Sequence, residues 1–96
     1  MHEKLIEMLL TVQMDDLNDA KMLLDYADQA KLLNATALAN NFATRAKYRI
    51  NNVSECETTM HNMLREDDEA NSLFATLYHK FVMSEQERLK KRIDSF

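Results

Sequence analysis

Glycine, proline and tryptophan are absent from these 96 residues, and cysteine occurs once. Without glycine there is no phosphate-cradling loop of the P-loop or dinucleotide type. Without glycine or proline, nothing in the chain locally forbids a helix. The lone Cys56 excludes an internal disulfide and a cysteine-based zinc cluster. No apolar run approaches the roughly 20 residues that span a bilayer. The opening Met1-His2-Glu3-Lys4-Leu5-Ile6-Glu7 places two acids ahead of the short Met8-Leu9-Leu10 run, unlike a secretory leader, so a cytoplasmic location is expected. Seven methionines beside one cysteine fit a reducing compartment. A net charge of −4 runs against direct nucleic-acid binding, which relies on neutralising phosphates.

What is present is apolar periodicity. Hydrophobic residues make up 46% of the chain and recur at spacings of three and four nearly throughout, which predicts an all-α protein forming a single domain over residues 1–96. Two corners divide it. Around Leu33-Asn34-Ala35-Thr36, asparagine either takes the left-handed conformation that closes a helix or caps the next one. At Glu66-Asp67-Asp68-Glu69, acids sit on the positive end of a new helix dipole. The result is three long helices at about 3–33, 35–65 and 68–94, each about 45 Å long, antiparallel in an up-down-up bundle because the connections are short. Arg88, Lys90, Lys91 and Arg92 fall in the last turns of helix three, where cations suit the dipole.

The predicted core stripe of helix one is Ile6, Leu10, Leu17, Ala20, Leu24 and Ala27. Helix two offers Leu38, Phe42, Ala46, Val53, Cys56, Met60 and Met63, flanked by Ala39, Ala43, Ile50 and Leu64. Helix three offers Ala70, Leu73, Phe74, Leu77 and Phe81, then Leu89, Ile93 and Phe96. The polar interruption Ser84-Glu85-Gln86-Glu87-Arg88 marks where this helix should bend or leave the bundle.

The first half of helix one is apolar over roughly 240° of its circumference, too much for one three-helix core to cover. Leu5, Met8, Leu9 and Val12 should therefore join Met60, Met63, Leu64 and Leu73 in an apolar patch at one pole, an interface for a homodimer or for a different protein.

Polar residues predicted on inner faces are Asp16, Asp19, Arg49, Asn52, Glu57 and His61. Glu57 and His61 are four apart and read as a surface pair. Counting from the Asn34 corner sets Asp16 level with about Asn52 and Glu57 about 7 Å farther along, so the two carboxylates should not share one small ion. Arg49 lies in line with the core stripe, and an internal Asp16–Arg49 ion pair is expected because a charge facing the core needs an opposite partner. His79 should be solvated and His2 frayed. A Cys56–His61 dyad is unfavourable, since five helical residues point the side chains about 140° apart.

The stretch Asp16-Leu17-Asn18-Asp19-Ala20-Lys21, followed by Tyr26-Ala27, Leu38-Ala39 with Phe42, and later Leu77-Tyr78 with Phe81, resembles the small ferritin-like, rubrerythrin-related proteins of bacteria and their prophages. In that family the position matching Asp16 is typically a metal-binding glutamate, and the second helix carries a Glu-Glu-x-x-His element. Here the corresponding segment reads Tyr48-Arg49-Ile50-Asn51-Asn52. The resemblance therefore implies a ferritin-like bundle that has lost its di-iron chemistry but keeps the habit of completing a bundle by dimerising.

The function expected from the sequence is non-catalytic: an adaptor or inhibitor that binds another protein, without cofactor or metal. A phage-encoded inhibitor is one version of it. The alternative is a ferritin-like metal-binding oxidoreductase using Asp16, Asp19, Glu57 and His61 across a dimer.

Overall fold

The structure, a computed structural model, describes residues 2–96 and is all-α. Helix α1 spans Glu3–Leu32 and α2 spans Thr36–Met63. The third arm runs from Asp68 to Asp94 as α3 (Asp68–Tyr78), a π-helical segment (His79–Met83) and α4 (Ser84–Asp94). Three antiparallel arms form a rod of 51 × 17 × 16 Å, within two residues of the predicted boundaries.

Each corner has an identifiable cause. Asn34 adopts φ 61°, the left-handed conformation, and lets Ala35 N–H donate to Ala30 C=O (2.8 Å) and Asn34 N–H to Lys31 C=O (3.0 Å). That is a Schellman closure with asparagine in the place glycine usually takes. At the second corner, Asp67 Oδ1 accepts from Ala70 N–H (3.1 Å), capping α3. Its Oδ2 lies 2.8 Å from His2 Nδ1, so His2 is tied to the start of the third arm and not frayed as predicted. The capping bond first, and then the His2 contact, hold the Asp67 carboxyl below its usual range.

Helices α1 and α2 pack side by side as a hairpin, and the third arm lies along one face of it, α4 against both helices and α3 against α1. Ile6, Leu17, Leu24, Ile50, Val53, Phe74, Val82 and Leu89 are buried to 1% exposure or less and form one continuous core. Removing a ring such as that of Phe74 should cost about 3–5 kcal/mol, through lost transfer energy and the cavity left behind.

The third arm corrects the predicted stripe. From its start to the middle of α4 its buried residues are Ala70, Phe74, Tyr78, Val82 and Gln86, a run of four-residue steps that Leu89 then follows at a step of three. In a straight α-helix each such step overshoots a full turn by about 40°, so the run would wind about 160° off its face. The π-helical turn at His79–Met83 accommodates an extra residue and keeps the stripe on the hairpin. The irregularity therefore falls one turn before the predicted interruption. The arm stays packed beyond it, with Gln86 and Leu89 buried. Phe81, predicted to be core, is left 51% exposed.

Candidate functional site

The apolar excess of helix one is divided between two sides of the molecule. On one side, α1 and the third arm leave a groove of about 560 Å³ between them. Ile6, Leu10 and Met14 line it from α1, and Leu73, Leu77 and Phe81 from across the gap. Glu3, Glu7 and Asp15 stand along the α1 rim. Leu73 and Phe81 are exposed while Ile6 is buried beneath them, so the groove has a solid floor and an open mouth.

Of the eight residues predicted for an apolar patch at one pole, Met60 and Leu64 are buried at 2% and 1% and belong to the core. They sit on the α2 stripe that faces the other helices and so cannot meet a partner. Leu73 lies in the α1/α3 groove. Leu5 and Leu9 are half-buried against the core, and Met8, Val12 and Met63 are exposed. Leu10 and Leu77 pack against the core as predicted while also lining the groove, whereas Phe81, predicted as core, is exposed, because stripe counting assumes an unbroken α-helical period in the third arm. The missed signal was the unbroken run of four-residue steps through Tyr78, Val82 and Gln86.

The polar residues do not converge. Arg49 Nη1 stands 3.7 Å from Asp16 Oδ1, with the arginine side chain 48% exposed, so the contact lies at the rim of the hairpin and not inside the bundle. Burial raises the Asp16 carboxyl above its usual range, outweighing the opposing pull of Arg49. Asp19 is half-buried and Asn52 exposed. Farther along, His61 Nε2 is 3.6 Å from Glu57 Oε1, and its Nδ1 is 2.6 Å from Asn71 Oδ1. The His61 ring meets the Phe74 ring edge-on at 5.2 Å between centroids. His79 is exposed. Cys56 is half-buried, its thiol pushed up first by burial and then by the Asp16 and Glu55 carboxylates, which disfavours a nucleophilic thiolate.

Among the described residues, no three His, Cys, Asp or Glu side chains are grouped to hold a metal ion. The donors do not fit a di-iron centre: Asp16 faces a guanidinium, and both nitrogens of His61 already have protein neighbours. No helix among the described residues is long and apolar enough to cross a membrane.

A buried polar network instead ties the arms together. Gln13 of α1 donates from Nε2 to Val53 C=O of α2 (3.1 Å), and its Oε1 has no partner. Tyr78 donates its hydroxyl to Gln86 Oε1, and Gln86 Nε2 donates to Ser54 Oγ of α2 at 2.7 Å. Burial first, and then the neighbouring Glu57 carboxylate, raise the Tyr78 phenol and keep it a donor. Two exposed carboxylates, Asp25 and Asp28, receive Arg92 at 2.7 and 2.9 Å, fastening the end of α4 to α1.

The chain matches no protein-family model, no curated protein and no solved structure.

Proposed function

We propose that this chain is a non-catalytic helical protein that works by binding another protein, as an adaptor or as an inhibitor of a larger enzyme. The observation that carries this reading is the groove between α1 and the third arm, with an apolar floor and an acidic rim of Glu3, Glu7 and Asp15. An amphipathic helix seats in such a groove by burying residues at i, i+3, i+4 and i+7. The acidic rim selects a partner helix with basic flanks, because complementary charge speeds encounter and penalises acidic competitors. The net charge of −4 adds to that preference.

The test is a pull-down from the native host with the wild-type chain, L73E and F81E, followed by cross-linking to locate the captured segment. A protein retained by the wild type, lost by both variants and cross-linked through a basic amphipathic helix supports the reading. Retention that is indifferent to both substitutions, or no enriched protein at all, overturns it.

A further inference from the structure

The other side of the hairpin, facing away from the third arm, carries a second pattern, of which Leu5 also packs against the core and Asp15 also stands at the groove rim. Along α1, Leu5, Met8 and Val12, then Asp15 and Asp19, then Met22 and Tyr26 recur at steps of three and four. This is a heptad seam lying beside the buried one. Met8, Val12, Met22 and Tyr26 are each between 46% and 56% exposed. On α2 the facing edge carries Leu38 and Phe42, then Arg45 and Arg49, then the uncharged Asn52, Cys56 and Thr59, and Met63 at the far end. Both helices thus show the same design: apolar ends around a charged middle, acidic on α1 and basic on α2.

The two charged belts sit at one height. Asp16 contacts Arg49 across the hairpin, and the Tyr26 and Phe42 rings lie 6.0 Å apart between centroids. Because α1 and α2 run antiparallel, Leu5 and Met8 are then level with Met63 and its preceding turn, and Met22 is level with about Arg45 and Ala46.

We propose that this face is the seat of a second copy of the chain, related by a twofold axis parallel to the helices, so that α1 of each copy packs antiparallel against α2 of the other. That axis preserves height and exchanges left for right. It lays the acidic belt of one copy, Asp15 and Asp19 with Asp16 at its edge, over Arg45 and Arg49 of its partner, twice, and sets the Leu5–Met8 end on Met63 and Tyr26 on Phe42. A twofold axis across the helices would instead press α1 on α1 and acid on acid, which like-charge repulsion opposes. The four helices of the two hairpins form an antiparallel bundle, with the two third arms on its outer faces.

Area supports a second copy over a small ligand. The chain exposes 6449 Å², whereas a compact monomer of this size exposes about 5,700 Å². The surplus, roughly 750 Å², is that of a 51 × 17 × 16 Å rod with long open sides, long enough to offer the ~800 Å² that one partner contributes to a standard interface. The α1/α3 groove stays open in this assembly, so the dimer and the protein-binding reading stand or fall separately.

The test is sedimentation velocity at tens of micromolar on the full chain, D19R, R45D and an equimolar mixture of the two variants. Both substitutions leave the Asp16–Arg49 contact in place, and circular dichroism checks that each variant folds. The wild type should sediment as a dimer, each variant should associate about tenfold or more weakly, and the mixture should recover the dimer because the swapped charges then face each other. A monomeric wild type overturns the proposal. So does tighter association of D19R, which the crossed axis requires, or a mixture no tighter than its components.

Discussion

Tyr78 and Gln86 stand eight residues apart, yet the phenol hydroxyl of one donates to the amide oxygen of the other inside the core. In an unbroken α-helix eight residues rotate by about 80° beyond two full turns. The π-helical turn at His79–Met83 lies between them and keeps both on the hairpin side. From there Gln86 reaches Ser54 of α2, so one glutamine joins two arms.

Removing that glutamine should take from the Tyr78 hydroxyl its acceptor inside the core, with only the Glu57 carboxylate near enough to replace it. Q86L is expected to lose about 1–3 kcal/mol, because an orphaned buried donor forfeits its solvation. At roughly 4–8 °C per kcal/mol for a domain of this size, the loss is readable in a thermal melt. Y78F/Q86L should be more stable than Q86L alone, since both polar partners are then gone. A double variant less stable than Q86L would show that the hydroxyl is satisfied elsewhere.

Gln13 has the opposite expectation. It is completely buried, it donates to a carbonyl, and its Oε1 lacks a partner. Methionine fills a similar volume without the orphaned acceptor, so Q13M should raise stability by about 1 kcal/mol. Chemical denaturation of the two proteins at one concentration checks it. Gln13 also links α1 to α2 through the Val53 carbonyl, so Q13M should broaden the amide resonances of that interface.

Deletion of Lys80, an exposed residue inside the π-helical turn, should be tolerated. The deletion converts the buried run to steps of three and four that a plain α-helix can keep on one face, and the thermal midpoint should stay within about 4–8 °C of the wild type. Deletion of Glu55, equally exposed but in the regular part of α2, should abolish cooperative melting, because it swings the rest of that helix by about 100° against the core.

Asp67 gives the chain an acid-sensitive corner. Its folded-state pKa lies below the ordinary 3.8, chiefly through the Ala70 N–H bond and then through His2. A carboxyl depressed on folding contributes stability that is present above the unfolded value and lost as pH falls through the folded one. D67N keeps an oxygen for the cap but no charge to titrate. Its thermal midpoint should therefore fall less steeply than the wild type's once pH drops below the ordinary carboxyl range. Parallel slopes would remove Asp67 from the acid transition.

The charged and buried residues divide into those the linear pattern reveals and those it cannot. Asn34 was legible as a helix end, because a chain without glycine has few other residues that accept a positive φ, and Asp67 was legible within an acidic helix start. Gln86 was read as part of a polar interruption, and only packing shows it to be a core residue with partners on two arms. Phe81 was read as core and is half exposed. The height of Asp16 against Arg49 could be counted from the corner, whereas their place at the rim depends on which face of the hairpin the third arm covers.

The amino-acid order alone determined that this chain is helical and where it turns, since propensity, capping and apolar period are local properties that need no distant partner. Only the tertiary structure decided which apolar residues remain uncovered. That outcome depends on the angular position of each side chain after an added residue has been absorbed into the third arm, and on which side of the α1/α2 hairpin that arm comes to rest.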